Sequence, residues 1–154
     1  MPNTKGTLWI YRGLPGSGKS TIAARVAKAK QCEYFETDMW LYEFEDQDYY
    51  WTPERLSVAI DKCHAAVTQQ MMDSEDAIVT GVFRKYSAIK GYIELAQEYN
   101  YNVVVIEQRG FDYGNIHDVP KDSLEAMKKN FVPNEQLPPL PNVEYKVNAS
   151  IKGN

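Results

Sequence analysis

Gly13-Leu14-Pro15-Gly16-Ser17-Gly18-Lys19-Ser20 fits the pattern G-x-x-x-x-G-K-[ST] at every fixed position. The spacing has a physical reason. Gly13, Gly16 and Gly18 carry no Cβ to hold a backbone away from polyphosphate, and they reach conformations closed to other residues. The loop, through Pro15, Gly16, Ser17 and Gly18, turns successive N–H groups inward as an anion nest. A helix starting at about Ser20, with Thr21 in its first turn, adds the positive end of its dipole. Lys19 supplies a point charge for the β- and γ-phosphates, and the Ser20 hydroxyl is the expected Mg²⁺ ligand. These residues imply binding of a nucleoside triphosphate together with Mg²⁺.

The flanks of the loop support that reading. Thr7-Leu8-Trp9-Ile10-Tyr11, before it, is a short apolar run with β-branched and aromatic bias, as a buried strand reads. Ser20 to Lys30, after it, carries Ile22, Ala23, Val26 and Ala27 at helical spacing. Glu33 to Thr37 reads as a second strand ending at Asp38, and the acidic, aromatic stretch Met39 to Trp51 as loop with at most a helical turn. Thr52-Pro53 has the form of a helix cap followed by proline in the first turn. Leu56, Ala59, Ile60, Cys63, Val67 and Met71 form the apolar stripe of that helix.

Ala77 to Thr80 is the next expected strand. Ser87 to Tyr99 follows as a helix with Ile89, Tyr92, Ile93 and Ala96 inward, and then Val103-Val104-Val105-Ile106, apolar throughout and so covered on both faces. After an irregular stretch to Pro120, a helix is expected from about Asp122 to Phe131, with Leu124, Met127 and Phe131 inward. Pro133, Pro138, Pro139 and Pro141 suggest an extended surface run, and alternating Val143, Tyr145 and Val147 a last strand. Strands alternating with helices imply an α/β fold with a parallel β-sheet sandwiched by helices.

Composition bounds the rest. The chain has 154 residues, the size of one domain, with residues 1–6 expected as a tail and residues 132–142 as a proline-rich surface segment. It is 44% hydrophobic and 25% charged, as soluble globular proteins are, and its formal charge of −4 gives no bulk attraction to nucleic acid or anionic lipid. Cys32 and Cys63 are spaced unlike a zinc site and are too few for a disulfide scaffold, which suits a reducing compartment. No run approaches the ~18 apolar residues of a membrane span. The first residues lack the apolar stretch of a secretory signal, so a cytoplasmic location and no membrane partner are expected.

A second signal narrows the class. Glu36-Thr37-Asp38 ends the second expected strand about twenty residues past the loop, and a parallel sheet would put Asp38 on the loop's rim. A carboxylate there can take the proton of a hydroxyl attacking the γ-phosphate. This arrangement resembles the P-loop kinases of the polynucleotide 5′-kinase group over residues 8 to about 133. Asn115-Ile116-His117-Asp118-Val119-Pro120, with Met127 beyond, is similar to the R-N-x-H-G-V-P…M signature of small stand-alone members found in bacteria and bacteriophages.

The resemblance implies the P-loop nucleoside triphosphate hydrolase/kinase fold, Lys19 and Asp38 as catalytic residues with Asp38 the general base, and Ser20 on the metal. It implies transfer of the γ-phosphate of ATP to a hydroxyl of a nucleoside, a nucleotide or a 5′-hydroxyl nucleic-acid end. The alternative is an ATP-binding regulatory module that transfers slowly or never.

The chain departs from the family at three points. The third strand runs into Gly81-Val82-Phe83 where the family has Asp-x-Thr-Asn or Asn-Thr-Phe, so a polar residue that helps hold the metal's water is missing, with Glu107 as a candidate for part of its role. Gly114 stands where the family's lid carries an arginine; Arg84, Lys85, Arg109 and Lys121 are candidate substitutes. Leu41 stands where the nucleic-acid kinases bind substrate phosphate with an arginine.

Trp40, Tyr42, Phe44, Tyr49, Tyr50 and Trp51 suit either a stacking platform for a base or core packing, and packing is favoured. The acidic neighbours Glu43, Glu45, Asp46 and Asp48 disfavour a nearby phosphate backbone. His117 is expected as a structural hydrogen-bonding residue, His64 as a solvated helix position, and Lys128-Lys129 as an exposed face.

Overall fold

The computed structural model describes residues 4–41, 52–109 and 121–149. Strands β1 (Gly6–Arg12), β2 (Glu33–Glu36), β3 (Ala77–Gly81), β4 (Tyr101–Arg109) and β5 (Val143–Ala149) alternate with helices α1 (Lys19–Lys30), α2 (Asp38–Leu41), α3 (Pro53–Met72), α4 (Tyr86–Glu98) and α5 (Lys121–Asn130). The strands form one sheet in the order β2-β3-β1-β4-β5, and every pair is parallel.

Side chains alternate across a strand, and the two faces of this sheet sort accordingly. Leu8, Ile10, Val79, Val103 and Val105 pack against Cys63, Val67 and Met71 of α3 and Ile89, Tyr92, Ile93 and Ala96 of α4. Tyr11, Ile78 and Ile106, on the other face, pack against Ala23 and Ala27 of α1. Both layers bury apolar side chains that the helical and strand periodicities single out. Thr52 caps α3 as expected, its hydroxyl accepting from Arg55 N at 3.1 Å. Two ends of α1 are set by backbone geometry: Gly18 (φ 86°) opens it and Gln31 (φ 56°) closes it, both left-handed.

The C-terminal third departs from expectation. Helix α5 forms, but it has no fully buried residue, and Leu124, Met127 and Phe131 are only half-covered. Its sequence is mostly charged or polar, so three apolar positions give a narrow stripe. The proline-rich stretch is not simply an extended surface run. Residues Asn134–Gln136 form a single 3₁₀ turn, and Asn134 and Leu137 are buried. Asn134 is pinned there: its side-chain amide donates to Val105 O at 3.1 Å and Lys146 O at 2.7 Å, and its N–H to Glu107 Oε1 at 2.7 Å. The strand from Val143 does form, pairing with β4 from Val103↔Val143 to Arg109↔Ala149. Among the described residues, no helix is long and apolar enough to cross a membrane.

Candidate functional site

The C-terminal ends of β1, β2 and β3 share one rim, because Arg12 lies across from Gly81 and Glu36 across from Thr80. The glycine-rich loop leaves β1 at this rim and runs into α1. Gly16 (φ 83°) and Gly18 (φ 86°) both take the left-handed conformation that favours glycine. Gly13 serves differently: a Cβ there would come within 2.5 Å of Ser17 Oγ and 3.0 Å of Gln108 O, so close packing requires the glycine.

Two loop amides are already engaged, Gly13 N–H with Gly81 O at 3.3 Å and Ser17 N–H with Leu14 O at 3.0 Å. The first bond of α1 runs from Ile22 N to Gly18 O. The N–H groups of Lys19, Ser20 and Thr21 therefore have no partner inside the helix and constitute its anion-accepting end.

A cavity of about 570 Å³ opens at this end. Pro15, Gly16, Gly18, Lys19, Ser20 and Thr21 line one part of it, with Glu36, Thr37, Asp38 and Thr80 beside them. Ser17 is buried and does not line the cavity, and its hydroxyl has no hydrogen-bond partner. Burial pulls the Lys19 ammonium below its ordinary pKa, and the Glu36 and Asp38 carboxylates oppose the shift. Asp38 heads α2, and it and Lys19, the two residues expected to share the chemistry, line one cavity.

Glu36 is the residue that sequence reasoning passed over. Its Oε2 accepts from the Ser20 hydroxyl at 2.7 Å and from the Thr80 hydroxyl at 3.1 Å. A carboxylate thus stands on β2, one strand further out than the end of β3. Glu36 lies on the same face of β2 as Tyr34, and it meets Thr80 because β2 pairs with β3 in this register.

Glu107 does not supply that carboxylate. It is buried on the opposite face of the sheet, where it accepts from Asn134 N and pairs with Arg109 through two hydrogen bonds. Arg109 is further tied to Glu135. Of the four candidate substitutes for the lid arginine, none lines the cavity, and Lys19 is the one lysine or arginine among its described lining residues.

The far part of the cavity lies between α3 and α4. Leu56, Ile60 and His64 come from the first helix, Ser87, Ala88, Gly91 and Tyr92 from the second, and Phe83 and Met127 complete it. His64 is half-buried here, which corrects the expectation of a solvated position. Its imidazole stacks on Tyr92 with ring centroids 3.9 Å apart and planes 8° from parallel, and it covers Gly91 so closely that a Cβ there would meet Cε1 at 2.8 Å. The glycine is what leaves room for the ring. Burial lowers the His64 pKa, opposed by Asp61.

Trp40 packs on Phe35 at 6.2 Å, at the edge of the core, in line with the packing expectation. The other aromatics of that cluster (Tyr42, Phe44, Tyr49, Tyr50 and Trp51), together with Gly114 and the Asn115–Pro120 motif with His117, lie outside the described residues. Lys128 and Lys129 are exposed, Lys128 pairing with Glu125.

Known structures share this architecture. Kti12 from Chaetomium thermophilum, solved in complex with ADP-AlF3, is similar over 92% of this chain and 88% of its own, with a TM-score of 0.68 and 13% identity. A gluconokinase from Sinorhizobium meliloti is similar over 97% and 86% respectively, with a TM-score of 0.57 and 16% identity. A chain of the Pnkp1/Rnl/Hen1 complex matches over 82% of this chain and 40% of that one, with a TM-score of 0.60 and 19% identity. At such identities the likeness establishes the fold, that of P-loop nucleoside triphosphate hydrolases and kinases. Residues 8–134 match the AAA domain family AAA_33, and the chain belongs to that family.

Proposed function

We propose that the protein is an ATP-dependent phosphotransferase that moves the γ-phosphate to a hydroxyl of a small acceptor. The observation that carries this is the single cavity shared by the phosphate loop, Asp38 and a pocket between two helices. A nucleotide-binding module needs the loop; it has no need of a carboxylate and an apolar recess between two helices beside it.

In this reading the amides of Lys19, Ser20 and Thr21 and the Lys19 ammonium grip the β- and γ-phosphates. The acceptor enters between α3 and α4. Its hydroxyl oxygen forms the new bond to the γ-phosphorus, the bond from that phosphorus to the ADP oxygen breaks, and Asp38 takes the hydroxyl proton.

Mg²⁺ fits the donors present: Ser20 and Thr80 offer hydroxyls around the Glu36 carboxylate, an all-oxygen set of the kind this ion takes together with phosphate and water oxygens. Bound there, the ion would neutralise charge on the phosphate oxygens. Ser20 and Glu36 would hold it, with Thr80 orienting the carboxylate.

The walls of the acceptor end favour a small molecule such as a nucleoside over a strand of nucleic acid. They are mainly apolar and aromatic, with Leu56, Ile60, Phe83, Tyr92 and Met127 among them. Polynucleotide-kinase kinship rests on the family resemblance and on the likeness to the Pnkp1 complex.

Incubation with γ-labelled ATP, Mg²⁺ and a panel of nucleosides, nucleotides, sugars and 5′-hydroxyl oligonucleotides tests the reading. Labelled acceptor is expected, strongest among the small molecules, and lost in Asp38→Ala. Label that persists without Asp38 removes the mechanism. A melting temperature raised by ATP with no acceptor labelled at all leaves a binding module instead.

A further inference from the structure

Arg12 is the last residue of β1, directly before the loop glycine Gly13, and its exposure is 0%. A guanidinium taken out of water needs its donors engaged. Here Nε and Nη2 both donate to one acceptor, the carbonyl of Phe83, at 3.0 and 2.7 Å, while Nη1 donates to Asn134 Oδ1 at 2.7 Å. The Phe131 ring lies over the guanidinium, 4.4 Å from its carbon to the centroid. Burial lowers the pKa to about 10, partly offset by Glu107, so the group stays charged at neutral pH.

The residue so held is itself unusual. Phe83 has φ 43°, in the left-handed region that a bulky side chain rarely adopts. Its ring lies over Gly81, where an added Cβ would meet it at 2.7 Å, and meets Tyr92 edge-on at 5.9 Å. Tyr92 in turn stacks on His64. All three rings line the far part of the cavity. Such a conformation persists where surrounding structure over-determines it, and two hydrogen bonds on its carbonyl do that.

We propose that Arg12 is a positioning residue for the acceptor: by holding the Phe83 carbonyl it fixes the Phe83 ring against Tyr92 and so sets the shape of the acceptor wall. It touches neither phosphate nor acceptor and acts through Phe83. The role toward an acceptor rests on the phosphotransferase reading; the hold on Phe83 does not.

Lysine at this position keeps the charge but lacks the fork that serves two carbonyl-directed donors and Asn134 together. The first measurement is fluorine NMR on protein carrying 4-fluorophenylalanine at its five phenylalanines, with the Phe83 signal assigned by its loss in Phe83→Gly. In Arg12→Lys that signal is expected to shift toward the free-amino-acid position or to split. An unmoved signal overturns the hold on Phe83.

The second measurement is steady-state transfer to the best acceptor of the panel. Arg12→Lys is expected to raise acceptor KM about tenfold while KM for ATP stays within about threefold. In a Phe83→Gly background the same change is expected to add less than about threefold, because the two act as one unit. Additive effects, or ATP and acceptor KM rising together, overturn the proposal.

Should Arg12→Lys not fold, Arg12→Gln, which keeps an amide donor without the fork, replaces it in both measurements, and Phe83→Gly separately tests whether the ring shapes the acceptor wall. Glycine suits φ 43°, so the fold is expected to survive with raised acceptor KM, and an unchanged KM is the contrary result. If the wild type labels no acceptor, the phosphotransferase reading falls with the acceptor role, and the fluorine signal still decides whether Arg12 holds Phe83.

Discussion

Ser20 on α1 donates its hydroxyl hydrogen to Glu36 on β2 across 2.7 Å, joining the phosphate loop's helix to a strand two places away in the sheet. The Thr80 hydroxyl on the intervening strand donates to the same carboxylate oxygen. Three elements therefore converge on one acid, and Glu36→Gln keeps its shape while removing its charge. In the proposed site Glu36 holds the ion directly, and losing even an outer partner of a metal ligand costs about tenfold to a hundredfold in metal affinity. The expected result is a Mg²⁺ requirement raised by at least about tenfold on that basis, read both in transfer and in Mg²⁺-dependent ATP binding by calorimetry. An unshifted Mg²⁺ titration would remove Glu36 from the site.

Lys19→Ala tests the polyphosphate grip. Hydrogen bonds from a charged donor contribute roughly 1.5–3 kcal/mol, which corresponds to ATP binding weaker by about ten- to a hundredfold. Calorimetric titration of Mg²⁺ and ATP measures it directly. Affinity equal to the wild type's would mean the loop does not hold the nucleotide.

Asp38→Asn separates proton removal from binding. General-base catalysis contributes about 10² to 10⁴ in rate, so kcat should fall by that order while KM for ATP changes little. A variant that loses ATP affinity and keeps kcat would assign Asp38 to binding.

His64 gives a pH dependence of stability with a defined sign. Its folded pKa lies below the ordinary 6.5, chiefly through burial, so the unfolded chain takes up the proton first as pH falls. This contribution is complete above about pH 6.5 and is lost progressively as pH falls from there through the folded pKa. Melting temperatures between pH 7.5 and 5.0 should fall more steeply for the wild type than for His64→Gln. Parallel curves would contradict the assignment.

Much of this was legible in the chain itself. The motif from Gly13 to Ser20 dictated strand, loop and helix in register. Ile89, Tyr92, Ile93 and Ala96 were read as the inner face of α4 and are all buried, because a wide apolar stripe has one stable orientation. The errors share a cause. Glu107 reads as a candidate metal-site acid because its partner Asn134 belongs to a segment that reads as surface, and nothing in local pattern shows that Arg109, two residues along the strand, pairs with it. Glu36 was overlooked because its role depends on which strand neighbours β2, and the order β2-β3-β1 is not written in local pattern. His64 follows Leu56 and Ile60 at helical spacing on α3, and the gap left by Gly91 on another helix is what lets its ring pack inward. Local periodicity reports faces; it does not report partners across elements.

The ladder position Glu36↔Thr80 makes the oxygen cluster hostage to registration of the sheet. Side chains alternate, so sliding β2 by one residue along β3 would turn the acid away from Ser20 and swing Phe35 toward it, with both strands still paired. An insertion or deletion inside either strand is therefore expected to separate Ser20, Glu36 and Thr80 in a protein that still folds and melts cooperatively.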